Sequence, residues 1–183
     1  YNIMNTAKVI SQYESLIKDK KSPSSGDITM VEKNCRDCLK SINEKLQMCI
    51  KMFNSLSEDI GALLKREFPY DQSMIIYSGV INDITKNKPS QAVSFFITHI
   101  YSNDKYRKYI NDGDDDFFLG NTYDDIANNE NAAKTIFQFK SSWGKLTMED
   151  KDYIKDVMKT LLKISAQYLN EKDIGNDVAV VMA

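Results

Sequence analysis

The sequence has little of several residue types on which common enzyme chemistries depend. It contains one histidine, one tryptophan, three prolines and three cysteines in 183 residues, and its seven glycines are scattered singly. A hydrolytic triad needs a nucleophile beside a base, and His99 is the sole imidazole. A phosphate-binding loop needs glycines close together, because its backbone must approach the ligand. The composition therefore predicts neither a hydrolytic triad nor a phosphate-binding loop, and no catalytic residue.

The three cysteines are an odd number close together, which is a poor disulfide framework and favours a reducing compartment. Cys35 and Cys38 have CxxC spacing, but both lie on the apolar stripe of a helical pattern. A zinc site would need His99 as the fourth ligand after Cys49, and a redox motif needs a preceding strand. We therefore predict buried thiols, a half-buried structural His99, and no metal or cofactor.

Charge and hydropathy exclude two classes of partner. The net charge is −2, and the densest basic cluster is the short group Lys18, Lys20 and Lys21. Nucleic-acid binding needs a larger array of cations, so we do not expect a nucleic-acid partner. No stretch approaches the ~20 apolar residues that span a bilayer, and no signal-peptide core is visible. Because the sequence begins with Tyr1 rather than Met, a removed targeting segment is left open.

The strongest local pattern is a long amphipathic, coiled-coil-like helix over about 28–66. Its apolar residues mostly alternate at steps of three and four, and no proline occurs between residue 28 and Pro69. At 1.5 Å per residue it would reach roughly 55 Å, more than a compact domain needs. Two successive steps of four around Ile42 form a stutter, which favours local partners over a regular two-stranded rod. Whether those partners lie in cis or in trans stays open.

The remaining pattern predicts an all-α bundle of about six helices. Pro69 ends the long helix, a shorter helix covers about 73–86, and Pro89 starts the next. Asn129 or Asn131 can cap a helix that runs through Trp143 to Gly144, which supplies a left-handed C-terminal residue. Thr147, with Asp150 three residues later, opens the last helix through a variant of the capping box.

Three regions follow from this pattern. Residues 1–70 are predicted to form a helical hairpin or long-helix arm, residues 71–172 a bundle domain, and residues 173–183 an extended apolar tail. The tail contains DVAVVMA, which is short, apolar and β-prone after Gly175. It either packs on the chain's own core, the simpler choice, or adds to the edge of a neighbour's sheet.

The acidic stretch DGDDDFFLGNTYDD at 112–125 invites comparison with a calcium loop. In the frame from Asp112, the sixth position is Phe117 where glycine is needed, and the twelfth is Tyr123 where a glutamate should close the cage. Other frames place apolar residues at ligand positions. We instead predict an acidic surface loop whose aromatics anchor it, and take as candidate interaction residues Asp114, Asp115, Asp116, Phe117 and Phe118.

From about 89 to 172, an aromatic-rich helix leads to the acidic D-x-FF loop, then to a tryptophan-bearing helix and a Leu/Ile-rich closing helix. The stretches are QAVSFFITHIYSNDKYRKYINDGDDDFFL, IFQFKSSWGKL and EDKDYIKDVMKTLLKISAQYLN. This succession resembles helical proteins of nucleocytoplasmic large DNA viruses, over a little under half of the chain. The resemblance implies a minor capsid-type virion component or virus-factory protein in the host cytoplasm. It implies no catalytic residue.

The expected function is therefore that of a non-enzymatic structural protein, a scaffold or minor capsid component acting through helix–helix contacts. Its partners would be capsid or scaffold proteins, or further copies of itself. The alternative is a regulatory module that engages a host or viral protein through a helical groove. A third hypothesis, an enzyme with an acidic metal site at 112–125, would need a cation to stabilise the fold.

Overall fold

The computed structural model describes residues 25–119 and 140–182, together with Ser11, Glu14 and Ser15. Regular structure in these residues is helical throughout, without a strand, and the predicted all-α class is confirmed. The α-helices are α1 Ser25–Glu67, α2 Gln72–Asn87, α3 Pro89–Phe96, α4 Asp104–Asp112, α5 Asp116–Leu119, α6 Lys140–Trp143 and α7 Met148–Met182, with a π-helical turn Ile97–Tyr101 after α3.

Some predictions concern residues outside this description. They are the end of the acidic stretch, 120–125, and the helix begun by Asn129 or Asn131, of which only Lys140–Trp143 is described.

The long helix is present as predicted and is slightly longer, from Ser25 to Glu67. Its stripe is buried at positions three, four or seven apart, since helical spacing returns such residues to the same face. The buried members are Cys35, Ile42, Cys49, Phe53, Ile60, Leu63 and Leu64. The Phe68 N–H still donates to the Leu64 carbonyl at 2.9 Å, and Pro69 then prevents another helical turn.

Local sequence determines several other helix ends. Pro89 lies in the first turn of α3, where its missing N–H leaves no bond unmade, as predicted. The predicted cap of α7 is also confirmed: Thr147 Oγ1 accepts from the Asp150 N–H at 3.1 Å and donates to its carboxylate at 2.6 Å. The prediction for Gly144 was wrong, because the left-handed glycine in the described residues is Gly113. A turn closed by Lys145 N–H on the Ser142 carbonyl ends α6 instead.

The chain divides into two compact units that differ from the predicted domains. The first unit comprises residues 1–49 and 167–183, and the second comprises residues 50–166. The predicted boundary near residue 70 thus falls inside the second unit. The prediction of an extended tail was wrong over 173–182, which continue α7. A helix there satisfies its own backbone bonds and buries Val178 completely.

The second unit holds most of the aromatic core. Phe53 of α1 packs edge-to-face on Phe96 of α3, with ring centroids 5.3 Å apart. At Gly61 an added Cβ would lie 3.6 Å from the Ser78 Cα, so α1 and α2 approach closely there. Asn54 Nδ2 donates to the Pro89 carbonyl at 3.0 Å, which ties α1 to the start of α3. Among the described helices, none combines the length and the apolar character required to cross a membrane.

Candidate functional site

The candidate interaction loop, at residues 114–118, is a regular turn into a helix and not an irregular surface connection. Gly113, at φ 69°, ends α4 in the left-handed conformation. Its N–H donates to the Ile110 carbonyl at 3.1 Å, and the Asp114 N–H donates to the Tyr109 carbonyl at 2.9 Å. This pair of bonds is the Schellman motif, which glycine favours because it has no Cβ. The chain therefore turns sharply and re-enters a helix at α5.

Both phenylalanines of the loop point into the second unit. Phe117 and Phe118 are each 1% exposed. Phe117 packs edge-to-face on Tyr106 at 5.8 Å between centroids, and Phe118 stacks on Trp143 at 3.9 Å. The prediction that these rings anchor the loop is confirmed. Because they are buried, neither ring is available to contact a partner.

Asp115 does not behave as a solvated surface acid. Its Oδ1 lies 2.5 Å from Lys155 Nζ in α7, and the residue is half-buried. The hydrogen bond from Lys155 lowers the pKa of the Asp115 carboxyl, against an opposing effect of burial and with further help from Trp143. The prediction that the acidic side chains stay in water therefore fails at Asp115. Asp114 is also half-buried, and the side chain of Asp116 lies outside the described residues.

Three lysines of α7 lie four residues apart and face the indole of Trp143 and the acidic turn, by which we mean residues 112–116. They are Lys151, Lys155 and Lys159. The ammonium groups of Lys151 and Lys155 lie 5.9 and 6.0 Å from the centre of the Trp143 ring. The Lys159 Nζ lies 3.6 Å from the place where a Cβ on Gly113 would stand, at the carbonyl end of α4. Cations are favourable at that end of a helix. A metal ion bound at Asp115 would have to displace the ammonium of Lys155.

The cysteines and the histidine occupy structural positions. Cys35 and Cys49 are buried and Cys38 is half-buried, and none of the three is in a disulfide. Burial is the main cause that raises the pKa of the Cys35 and Cys49 thiols, which makes them poor nucleophiles. His99 is half-buried, and its ring lies 4.3 Å from that of Phe95. Within residues 25–119 and 140–182, no three His, Cys, Asp or Glu side chains are grouped so that they could hold a metal ion.

A separate apolar surface, which the sequence pattern does not single out, lies on α2. Ile75 and Ile76 are 44% and 53% exposed. Gly79 comes four residues after Ile75 and three after Ile76, so it lies on the same side of the helix, one turn further along. A Cβ added at Gly79 would meet no atom within 4 Å, so the surface is open there. We call Ile75, Ile76 and Gly79 the α2 face. Tyr70, in the turn before α2, is 95% exposed.

The sequence could not show which side of α2 is buried. Apolar residues occur all around this helix, and the structure buries Met74, Tyr77 and Ile81 on the side opposite Gly79. Both sides satisfy the helical period, so periodicity does not choose between them. The choice depends on tertiary contact, such as the close approach of α1 at Gly61. The useful indication in the sequence is Gly79, which weakens a helix interior unless something else favours it.

Comparison with models of protein families, with curated proteins and with solved structures gives no match to this chain.

Proposed function

We propose that the chain is a non-enzymatic structural protein that acts through helix–helix contacts with a protein partner. The observation that carries this proposal is the α2 face, where two large aliphatic side chains flank a glycine on the outside of a folded unit. Contiguous exposed apolar surface marks protein interaction sites, and the α2 face would form one end of such a contact.

The shape of the α2 face favours a helix as the partner element. Side chains of one helix pack into the grooves of another, and the distance between the axes falls when the contact residues are small. Gly79 provides such a position, and Ile75 and Ile76 provide a ridge on each side of it. A matching helix would place an aliphatic side chain over Gly79.

The proposed setting is a virion or a virus factory in the host cytoplasm, with capsid or scaffold proteins as partners. This part of the proposal is supported by the resemblance of residues 89–172 to helical proteins of large DNA viruses. The α2 face adds a surface through which a subunit of an assembly would be held.

Stoichiometry distinguishes a structural role from the regulatory alternative. A structural component is expected in purified particles at a fixed, high copy number, whereas a regulator would be scarce or absent there. Quantitative mass spectrometry of the particles measures this ratio. A substoichiometric and variable copy number would overturn the structural role.

The contribution of the α2 face is tested by Ile75→Ser with Ile76→Ser. We expect incorporation into particles to be lost while thermal unfolding, followed by circular dichroism, is unchanged. Met148→Ser is the matched control, since Met148 is 68% exposed and lies outside the α2 face. Equal incorporation of both variants would show that the α2 face is not the contact.

A further inference from the structure

The end of α7 lies across one face of α1 inside the first unit. We call residues 171–180 the strap. Glu171, Ile174, Gly175 and Val178 share one side of it by helical spacing. Val178 joins Cys35 and Ile42 in a buried cluster. Partly buried residues pack around this cluster, namely Val31, Cys38, Leu39, Leu46 and Ile174.

The polar contact under the strap is incomplete. Glu171 is 5% exposed, and its Oε1 accepts a hydrogen bond from Lys45 Nζ at 2.9 Å. Its Oε2 is buried without a hydrogen-bond partner. Removing a carboxylate from water is costly, and a single ion pair offsets that cost only when the remaining lone pairs are also satisfied. The Lys45–Glu171 contact therefore fixes where the strap docks more than it strengthens the docking.

The strap also has a low helix propensity, and packing does not require it, because a residue with a higher propensity would fit. Gly175 lies inside α7, and a Cβ there would meet only the Ile42 Cγ2 methyl group, at 3.4 Å, the short end of ordinary van der Waals contact. Alanine would therefore fit, and glycine is among the least favourable residues in a helix interior. Asn176 and Asp177 follow, and both are poor helix formers.

Few fully buried apolar side chains lie beneath the strap in the part of the first unit that the structure describes. Among the described residues of the first unit, the buried apolar side chains are Cys35, Ile42, Cys49 and Val178. None of these four is aromatic and two are cysteines, so the fully buried apolar area that the described residues place under the strap is small. Elements with few buried contacts open locally, at a lower free energy than the whole molecule.

We propose that the strap is a releasable element that opens and closes over the apolar stripe of α1 while residues 50–166 stay folded. In the closed state Val178 of the strap packs on Cys35 and Ile42, and Glu171 of the strap lies near Cys49. In the open state this stripe becomes accessible. Opening of the strap does not depend on a partner at the α2 face.

The cysteines are built-in probes of this opening. Cys35 and Cys49 are 1% and 3% exposed, so a thiol reagent reaches them only when their cover moves. The test measures the rate at which iodoacetamide modifies each residue in the full chain under native conditions, by mass spectrometry. A Cys38→Ser background removes the half-buried thiol, whose modification would disturb the cluster.

Two glycine substitutions separate local from global opening. We expect Gly175→Ala to slow modification of Cys35 and Cys49 about five-fold, because it strengthens only the closed strap. Gly79→Ala should stabilise the helical state of α2 by a similar amount, and it should leave the modification rates of Cys35 and Cys49 unchanged. Lys45→Met should accelerate modification at least about a hundredfold, since it leaves Glu171 buried without its cation.

Equal slowing by Gly175→Ala and Gly79→Ala would mean that the thiols react only through unfolding of the whole chain, and the proposal would be overturned. Failure of Gly175→Ala to slow the reaction would overturn it as well, as would modification of Cys35 and Cys49 only under conditions that unfold residues 50–166.

Discussion

The ring of Phe118 lies face to face on the indole of Trp143, with centroids 3.9 Å apart and planes inclined by 7°. Both residues are 1% exposed. This stack joins α5, which follows the acidic turn, to α6, which precedes the last helix. It gives the turn a fixed position in the second unit, although four of its residues are acidic.

Phe118→Ala is expected to destabilise the fold by about 3–5 kcal/mol, because it leaves a cavity against Trp143 and removes the ring contact. The measurement is the free energy of unfolding from urea titration. Leu119→Ala is the neighbouring control, since Leu119 is 41% exposed. A loss for Phe118→Ala no larger than that of the control would contradict the observed stack.

The pairing of Asp115 with Lys155 should make stability depend on pH at the acidic end. Because the pKa of Asp115 is lowered in the folded state, its contribution is present above the ordinary carboxyl value. It is lost as the pH falls through the lowered folded-state pKa. Asp115→Asn should cost about 0.5–1 kcal/mol near neutral pH, since the aspartate side chain is 42% exposed and the pair is screened.

The check for Asp115→Asn is unfolding free energy measured against pH for both proteins, with the exposed Asp37→Asn as control. The difference between wild type and Asp115→Asn should shrink as the pH is lowered below about 4. A difference that stays constant over this range would show that the carboxylate charge is not the cause.

Gly113→Ala and Gly79→Ala should change stability in opposite directions. Gly113 has φ 69°, so alanine there would adopt the left-handed conformation at a cost of about 1–2 kcal/mol. Gly79 lies in a helix with open space around it, so alanine should stabilise by up to about 1 kcal/mol. Thermal unfolding of both variants measures the contrast. Stability of Gly113→Ala equal to or above that of the wild type would be inconsistent with the Schellman motif, and a loss of stability in Gly79→Ala would contradict the open space at that position.

Thr147→Ala should destabilise by about 1 kcal/mol, because it removes the side-chain acceptor for the Asp150 N–H at the start of α7. Thr160→Ala is a matched control within the same helix. The Thr160 hydroxyl donates to the Asp156 carbonyl, a contact that contributes little to a helix interior. Urea unfolding of the two variants should therefore separate them, and equal losses would exclude a capping role.

Features governed by residues close in sequence were predictable. The length of α1 follows from an uninterrupted apolar period, its end from Pro69, and the start of α7 from Thr147 and Asp150. In each case the physical cause lies within one or two helical turns. The burial of Phe117 and Phe118 was also predictable, because two adjacent large aromatics favour burial even beside acidic residues.

Features decided by distant contacts were not predictable. Asp115 is half-buried because Lys155, forty residues later, supplies a cation. The segment after Gly175 is helical because Val178 docks on Cys35 and Ile42, which overrides its β-prone composition. The α2 face is exposed because another side of the same apolar helix packs inward. A single sequence does not indicate which of these alternatives the folded chain adopts.

The most direct test of the proposed function is photocrosslinking from the α2 face in cells that produce the protein. A benzophenone amino acid replaces Ile76 in one variant and Met148, as the control position, in another. We expect position 76 to yield one crosslinked protein of defined mass in fixed ratio to the chain, and position 148 to yield none of it. Identical products from both positions, or no product from position 76, would contradict a helix–helix contact through the α2 face.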